Sequence, residues 1–139
     1  MRIFICGVFD LFHYGHMDFM KRSKLNKDDV LIVGVHTDEE TKQNKRIPIM
    51  KMEERVRAVK MCRYVDEVVE ACPYNLSPEM WLEFKNKYQI DQVLACSDYD
   101  KDGDECYSGP RFYGDVVYLD RTPEISTTDI IQRISLRLN

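Results

Sequence analysis

The chain has 139 residues, enough to bury one hydrophobic core and form a single domain over residues 1–139. Hydrophobic residues at 44% and charged residues at 32% exclude disordered and collagen-like classes. A formal net charge of −4 excludes general nucleic-acid binding, which needs a surplus of Lys and Arg; a small anion needs only a local patch such as Lys42, Lys45, Arg46 and Lys51.

No apolar run approaches the roughly 18–20 residues of a membrane-spanning helix, and the first ten residues alternate like a strand rather than a cleavable signal. A cytoplasmic protein without a membrane partner is expected. Cys6, Cys62, Cys72, Cys96 and Cys106 are odd in number, contain no C-x-x-C pair and mostly sit in apolar segments, so they are expected to be reduced.

In chain order, Arg2 to Cys6 reads as a short strand, and a turn through Gly7 to Gly15 leads into a helix carrying Met17, Phe19 and Met20. The run Val30 to Val35 is nearly continuous and β-branched, as in a central strand of a parallel sheet. After a polar loop, Met52, Val56 and Val59 predict a helix from about Lys51 to Tyr64, with Pro48 just before it, and Glu67 to Glu70 follows as a strand. Ser77-Pro78 opens a helix to about Tyr88, and Gln92 to Cys96 is the fourth strand. Residues 97 to 113 are acidic, contain Gly and Tyr and show no period, so they read as a long functional loop. A fifth strand at Asp115 to Leu119 precedes a last helix that starts near Ser126-Thr127-Thr128-Asp129 and carries Ile130, Ile134 and Leu138.

Strands alternating with helices predict one Rossmann-like α/β domain, a five-stranded parallel sheet with helices on both faces. Such sheets bind ligands beyond the carboxyl ends of their strands. The loop from Gly7 to His16 lies there, with Val8, Phe9 and Asp10 at its start and Gly15 between two histidines, His13 and His16, at the mouth of a helix. Helix N-termini and imidazoles both offer donors to phosphate oxygens, and Gly15 would admit close backbone approach. A zinc reading of H-x-x-H lacks further ligands nearby. The run Asp98 to Asp104 opens like a calcium loop, but Gly109 stands where a bidentate Glu is required.

The segment G-V-F-D-L-F-H-Y-G-H resembles the H-x-G-H signature of the nucleotidyltransferase superfamily in its cytidylyltransferase form. Residues 45 to 69, including R-Y-V-D-E-V, and R-T-P-E-I-S-T-T-D-I at 121 to 130 are similar to further segments of that family, so the likeness runs from Arg2 to about Arg133. The resemblance implies that His13 and His16 contact the CTP phosphates and that Lys45 grips phosphate from the second loop. It implies Arg63 and Asp66 near cytosine and ribose, Arg121 and Thr122 on the nucleotide, and Ser126 and Thr127 on the β and γ phosphates, with Gly7, Val8, Phe9, Asp10, Gly15 and Ile125 as further nucleotide-binding positions. Mg²⁺ is expected with CTP, and a homodimer is implied.

The chain departs from the family pattern twice. Pro123-Glu124 replaces the family's E-G before I-S-T-T, removing a glycine and adding a carboxylate, and Cys96-Ser97-Asp98 replaces an H-D, H-G or G-D pair. Weaker CTP binding is one expected consequence, and a nucleotide-binding module without efficient turnover is one alternative. The Cys72-Pro73-Tyr74 and D-G-D-E-C-Y segments look closest to ethanolamine-phosphate enzymes, then choline-phosphate enzymes, while glycerol-3-phosphate enzymes resemble the chain in length. An amino-alcohol phosphate is therefore the expected acceptor, held by Tyr74, Asp98 and Tyr99, with Trp81 and Tyr107 as further aromatic candidates against the ammonium. Because the chain stops with its last helix, no membrane-regulatory tail is expected.

Overall fold

A computed structural model describes residues 1–139. Its strands are β1 (Arg2–Gly7), β2 (Val30–Val35), β3 (Glu67–Glu70), β4 (Gln92–Cys96) and β5 (Val116–Leu119). Its helices are α1 (Tyr14–Ser23), α2 (Asp38–Asn44), α3 (Met52–Lys60), α4 (Pro78–Tyr88), α5 (Ser108–Phe112) and α6 (Thr127–Leu138).

All strands pair in parallel in the order β3-β2-β1-β4-β5. The chain builds β1, β2 and β3 toward one edge, then returns to place β4 and β5 on the other side of β1. Right-handed crossovers running in opposite directions put helices on opposite faces. Strand alternation explains the two resulting cores. Ile3 and Ile5 of β1 meet Met20 of α1 and Val56 and Val59 of α3, while Phe4 faces the other way toward Leu76 and Trp81. The reversal of order between β1 and β4 leaves a crevice at their carboxyl ends, where this topology binds ligands.

The strands stand where periodicity puts them, with β1 rather than β2 in the middle. Three connections differ. The polar loop after β2 contains α2, whose Thr37 Oγ1 accepts the Glu40 N–H and whose first turn carries Asp38, Glu39 and Glu40. This short helix has no apolar period to betray it, only its cap and the acidic residues that suit the positive end of a helix. Helix α3 stops at Lys60, four residues earlier than its apolar spacing suggests. Residues 97 to 113 are not one loop: Ser97–Tyr99 form a 3₁₀ turn, and α5 occupies Ser108–Phe112.

Candidate active site

The crevice is a cavity of about 260 Å³. Its floor is made by the ends of β1 and β4, its walls by the first loop, Lys45 and Arg46, and the entry to α6. Every site residue named from the sequence lines it except Arg63, Asp66 and the aromatic candidate Trp81.

The H-x-G-H segment caps its own helix. His13 Nδ1 accepts the Gly15 N–H at 3.0 Å, and His16 Nδ1 accepts the His13 N–H at 3.2 Å. A ring nitrogen that accepts from an N–H carries no proton, so both neutral rings hold theirs on Nε2. The rings stack at 3.8 Å, and Phe12 stacks on the other side of His16 at 5.6 Å. Burial first, then the neighbouring His13 and Lys45, lowers His16 to about 3, and burial also lowers His13. The pair are neutral donors at neutral pH.

Those donors face a second helix mouth. His13 Nε2 lies 3.2 Å from Thr127 Oγ1, which in turn donates to the Asp10 carbonyl at 3.2 Å. Ser126 Oγ accepts the Asp129 N–H, leaving its hydroxyl proton and the N–H groups of Thr127 and Thr128 for an incoming anion. Lys45 closes the α2 end of this wall; enclosure by the cleft, then the charges of Arg46 and Arg121, hold it below the ordinary lysine value. Two helix N-termini, two neutral imidazoles and three cationic side chains thus converge on one half of the cavity, an arrangement for phosphate oxygens.

Several residues do different work from that expected. Gly15 is required by protein packing rather than ligand approach, since a Cβ there would lie 2.9 Å from the His13 ring and 3.0 Å from Ile125. The Asp10 carboxylate, in the first loop, accepts the Ile49 and Met50 N–H groups at 2.7 and 2.9 Å and so ties the second loop down. The Thr122 hydroxyl is spent inside the protein, donating to Asp18 at 2.6 Å and accepting from Arg22 at 3.2 Å. Arg121 pairs with Asp98 at 3.0 Å across the cavity mouth.

Arg63 and Asp66 are not brought to the cavity. Asp66 pairs with Lys24 and accepts the Leu31 N–H at 2.8 Å, and the Arg63 guanidinium lies over Tyr64. Both precede β3 and therefore sit at the amino ends of the strands, opposite the crevice. The acidic loop also differs from expectation. Asp104 is turned inward to Arg111 and to the N–H groups of Cys106 and Tyr107, while Asp100 and Asp102 are exposed, so the loop contributes Asp98, Tyr99 and Tyr107 but no row of carboxylates. Trp81 is fully buried and donates to Asp115 at 2.8 Å; it packs α4 and does not line the cavity.

Arg55 was missed. Fully buried, it donates to the carbonyls of Val8, His36 and Met50 and pairs with Asp38 at 2.7 Å. One planar guanidinium thereby joins the first loop, the end of β2 and the loop after α2. The sequence marks it only as a charged residue at a position flanking Val56 in a helix that buries its apolar face.

The second half of the cavity is lined by Cys6, His36, Tyr74, Cys106, Tyr99 and Tyr107. Tyr74 is held by its own N–H, which donates to Glu40 at 2.9 Å, and its ring packs on His36 at 4.6 Å. Tyr99 meets Tyr107 edge-on at 5.3 Å. Burial is the first cause that raises the phenols of Tyr74 and Tyr99. This half offers aromatic faces and soft groups where the other offers charge.

Comparison with known proteins agrees with this geometry. The cytidylyltransferase-like family model matches residues 4–133. The chain is 36% identical over 138 residues to an ethanolamine-phosphate cytidylyltransferase of Dictyostelium discoideum, covering 98% of this chain and 37% of that one. It is 42% identical over 135 residues to choline-phosphate cytidylyltransferase A of Homo sapiens, covering 96% of this chain and 36% of that one. The chain thus spans little more than a third of the length of these curated relatives. In structure it resembles a lipopolysaccharide core biosynthesis protein from Thermoplasma volcanium, with a TM-score of 0.65, 25% identity and coverage of 91% of this chain and 98% of that one. The match over nearly its whole length, with the H-x-G-H loop and the S-T-T helix mouth facing one crevice, makes this chain a member of the cytidylyltransferase-like family.

Proposed function

We propose that this chain transfers CMP from CTP to the phosphate of an amino alcohol, phosphoethanolamine before phosphocholine, giving a CDP-alcohol and pyrophosphate. The observation that carries the reading is the two-part cavity: a donor-rich half framed by His13, His16, Lys45 and Ser126, adjoining an aromatic half framed by Tyr74, Tyr99 and Tyr107. The named relatives act in this class, which supports the acceptor choice.

In the reaction an oxygen of the acceptor phosphate attacks the α-phosphorus of CTP in line. One phosphorus–oxygen bond forms, the bond to the bridging α–β oxygen breaks, and pyrophosphate leaves. No protein nucleophile is required, so the protein's contribution is positioning and charge stabilisation. His13 and His16 donate through Nε2 to oxygens that gain charge, a fixed dipolar contribution needing no proton transfer. Lys45 and Arg121 supply the cationic share, and the first turn of α6 receives the phosphates that depart.

Mg²⁺ would enter with the nucleotide. The crevice gathers no group of three metal-ligating side chains, the Asp10 carboxylate being committed to the second loop and Asp98 to Arg121. Magnesium bound chiefly by phosphate oxygens and water suits such a site. A cytoplasmic homodimer belongs to the same reading.

Glu124 favours one alternative, a module that binds CTP with weakened turnover, because it occupies a left-handed conformation with φ of 70° at the expected triphosphate end. Calorimetric titration with CTP beside a pyrophosphate-release assay separates the two. Binding with acceptor-dependent release supports the enzyme; binding without release supports the module. CTP is expected to outperform ATP, since no Arg follows Ser126-Thr127-Thr128 closely as it does in adenylyl-transferring relatives; comparable rates would remove the cytidylyl reading.

A further inference from the structure

The segment that carries Tyr74 into the cavity leaves β3 in a costly conformation. Ala71 has φ of 56°, in the left-handed region that a residue with a Cβ disfavours. Backbone of this kind persists only where its surroundings fix it. Three N–H groups do so: Cys72 donates to the Val35 carbonyl at 3.0 Å, Tyr74 to Glu40 Oε2 at 2.9 Å, and Leu76 to the Cys106 carbonyl at 2.9 Å. The first and last acceptors are backbone. Glu40 is the one side chain among them, so it is where a substitution can change how Tyr74 is held.

Glu40 is itself a fixed point. It lies in the first turn of α2, where Thr37 Oγ1 takes its N–H at 3.1 Å, and Asp38 in the same turn pairs with the buried Arg55 at 2.7 Å. The Tyr74 ring rests on His36 at 4.6 Å, and His36 Nδ1 donates to the Cys72 carbonyl at 3.0 Å. A carbonyl only accepts, so this bond sets the tautomer of the imidazole on which Tyr74 lies. Tyr74 is thus held from two sides, its ring by His36 and its backbone by Glu40. The far end of α2 is capped by Lys45, which lines the donor-rich half.

We propose that Glu40 is the positioning residue for acceptor recognition: its carboxylate fixes the Tyr74 backbone, and through it the aromatic face offered to the acceptor's ammonium. This rests on the amino-alcohol reading of the cavity given above. Glu40 does not line the cavity, so it acts through Tyr74 and not on substrate. The role demands reach rather than charge, since a carboxamide oxygen at the same place also accepts an N–H. A face presented equally to bound acceptor and to transition state changes the Michaelis constant and leaves kcat.

Steady-state pyrophosphate release, with CTP and the amino-alcohol phosphate varied in turn, tests this. Glu40→Asp keeps the negative charge in the first turn of α2 but withdraws the carboxylate by one methylene. It should raise the Michaelis constant for the amino-alcohol phosphate about three- to tenfold, the worth of one hydrogen bond, with kcat and the CTP constant within about twofold. Glu40→Gln keeps the reach and should stay within about twofold of wild type. Added to Tyr74→Ala, Glu40→Asp should cost less than about twofold more, because two changes acting through one contact do not add. An unchanged constant in Glu40→Asp, an equal rise for CTP, a Glu40→Gln variant as impaired as Glu40→Asp, or full additivity with Tyr74→Ala overturns this assignment alone. A wild-type chain that releases pyrophosphate with neither phosphoethanolamine nor phosphocholine overturns the acceptor reading, and the assignment with it, before any variant is made.

Discussion

The two halves of the cavity handle histidine in opposite ways. In the donor-rich half, His13 and His16 turn Nδ1 to backbone N–H groups and hold their protons on Nε2; in the aromatic half, His36 gives its Nδ1 proton to a carbonyl and keeps its lone pair on Nε2. The difference follows from where each residue sits. A histidine at a helix start meets unpaired N–H groups, whereas His36, just past the end of β2, meets a carbonyl of the neighbouring crossover. The same side chain becomes a fixed donor in one place and an acceptor in the other, with no change in residue type.

The largest expected effect breaks the donor half. His16→Ala should lower turnover by about 10² to 10³ with the fold retained, the usual result of losing one preorganised donor at developing charge. A folded variant with near wild-type rate would remove the assignment. His13→Ala should cost as much activity and also some stability, because its ring caps Gly15.

The donor state itself can be tested by pH. With a native value near 3, reached chiefly by burial, the His16 ring should show no NMR titration between about pH 5 and 8. The sign of the stability effect follows: the unfolded ring binds a proton below its ordinary value of about 6.5 and the native ring does not, so this group's contribution is full above that value and falls as pH drops toward 3. A ring that titrates near 6.5 in the native protein would contradict the neutral-donor account.

Arg55→Met should loosen both halves together, since three carbonyls and Asp38 lose their shared partner. Thermal unfolding should show a loss of roughly 2–5 kcal/mol, the range for breaking a buried charge and its hydrogen bonds. A change under about 0.5 kcal/mol, typical of surface sites, would show the hub to be dispensable.

The acceptor half should respond more gently. Tyr74→Ala is expected to raise the Michaelis constant for the amino-alcohol phosphate about tenfold, as loss of a partly desolvated cation–π contact would, with little change for CTP. Equal changes for both substrates would place Tyr74 outside acceptor recognition. The smallest effect is expected at Glu124, where Glu124→Gly relieves the left-handed backbone and should stabilise the fold by about 1 kcal/mol while tightening CTP binding. No gain in either measurement would show that the strain is not felt.

Much of this was legible because long periods and capping chemistry are local. The β-branched run of β2, Ser77-Pro78 and the Ser126 cap each declare an element within a few residues. Helix α2 was hidden because at seven residues it buries little more than Thr41 and so writes no apolar stripe. The phosphate half was legible because its groups lie in two ordered motifs. The aromatic half was less so: Tyr74 and Tyr99 were named, but the packing of Cys72 over Gly34, beside Cys6, depends on the β1–β2 register and on the absent side chain of Gly34. The inward turn of Asp104 depends on Arg111, within a segment that reads as loop.

The most direct test of the two-part cavity is an acceptor screen with CTP, following pyrophosphate and the new phosphoanhydride by phosphorus NMR. The account predicts turnover with phosphoethanolamine ahead of phosphocholine, and both ahead of glycerol 3-phosphate, with a CDP-alcohol as product. Faster turnover with glycerol 3-phosphate would contradict the aromatic half as an ammonium site, and pyrophosphate release without any acceptor-linked product would contradict the transfer itself.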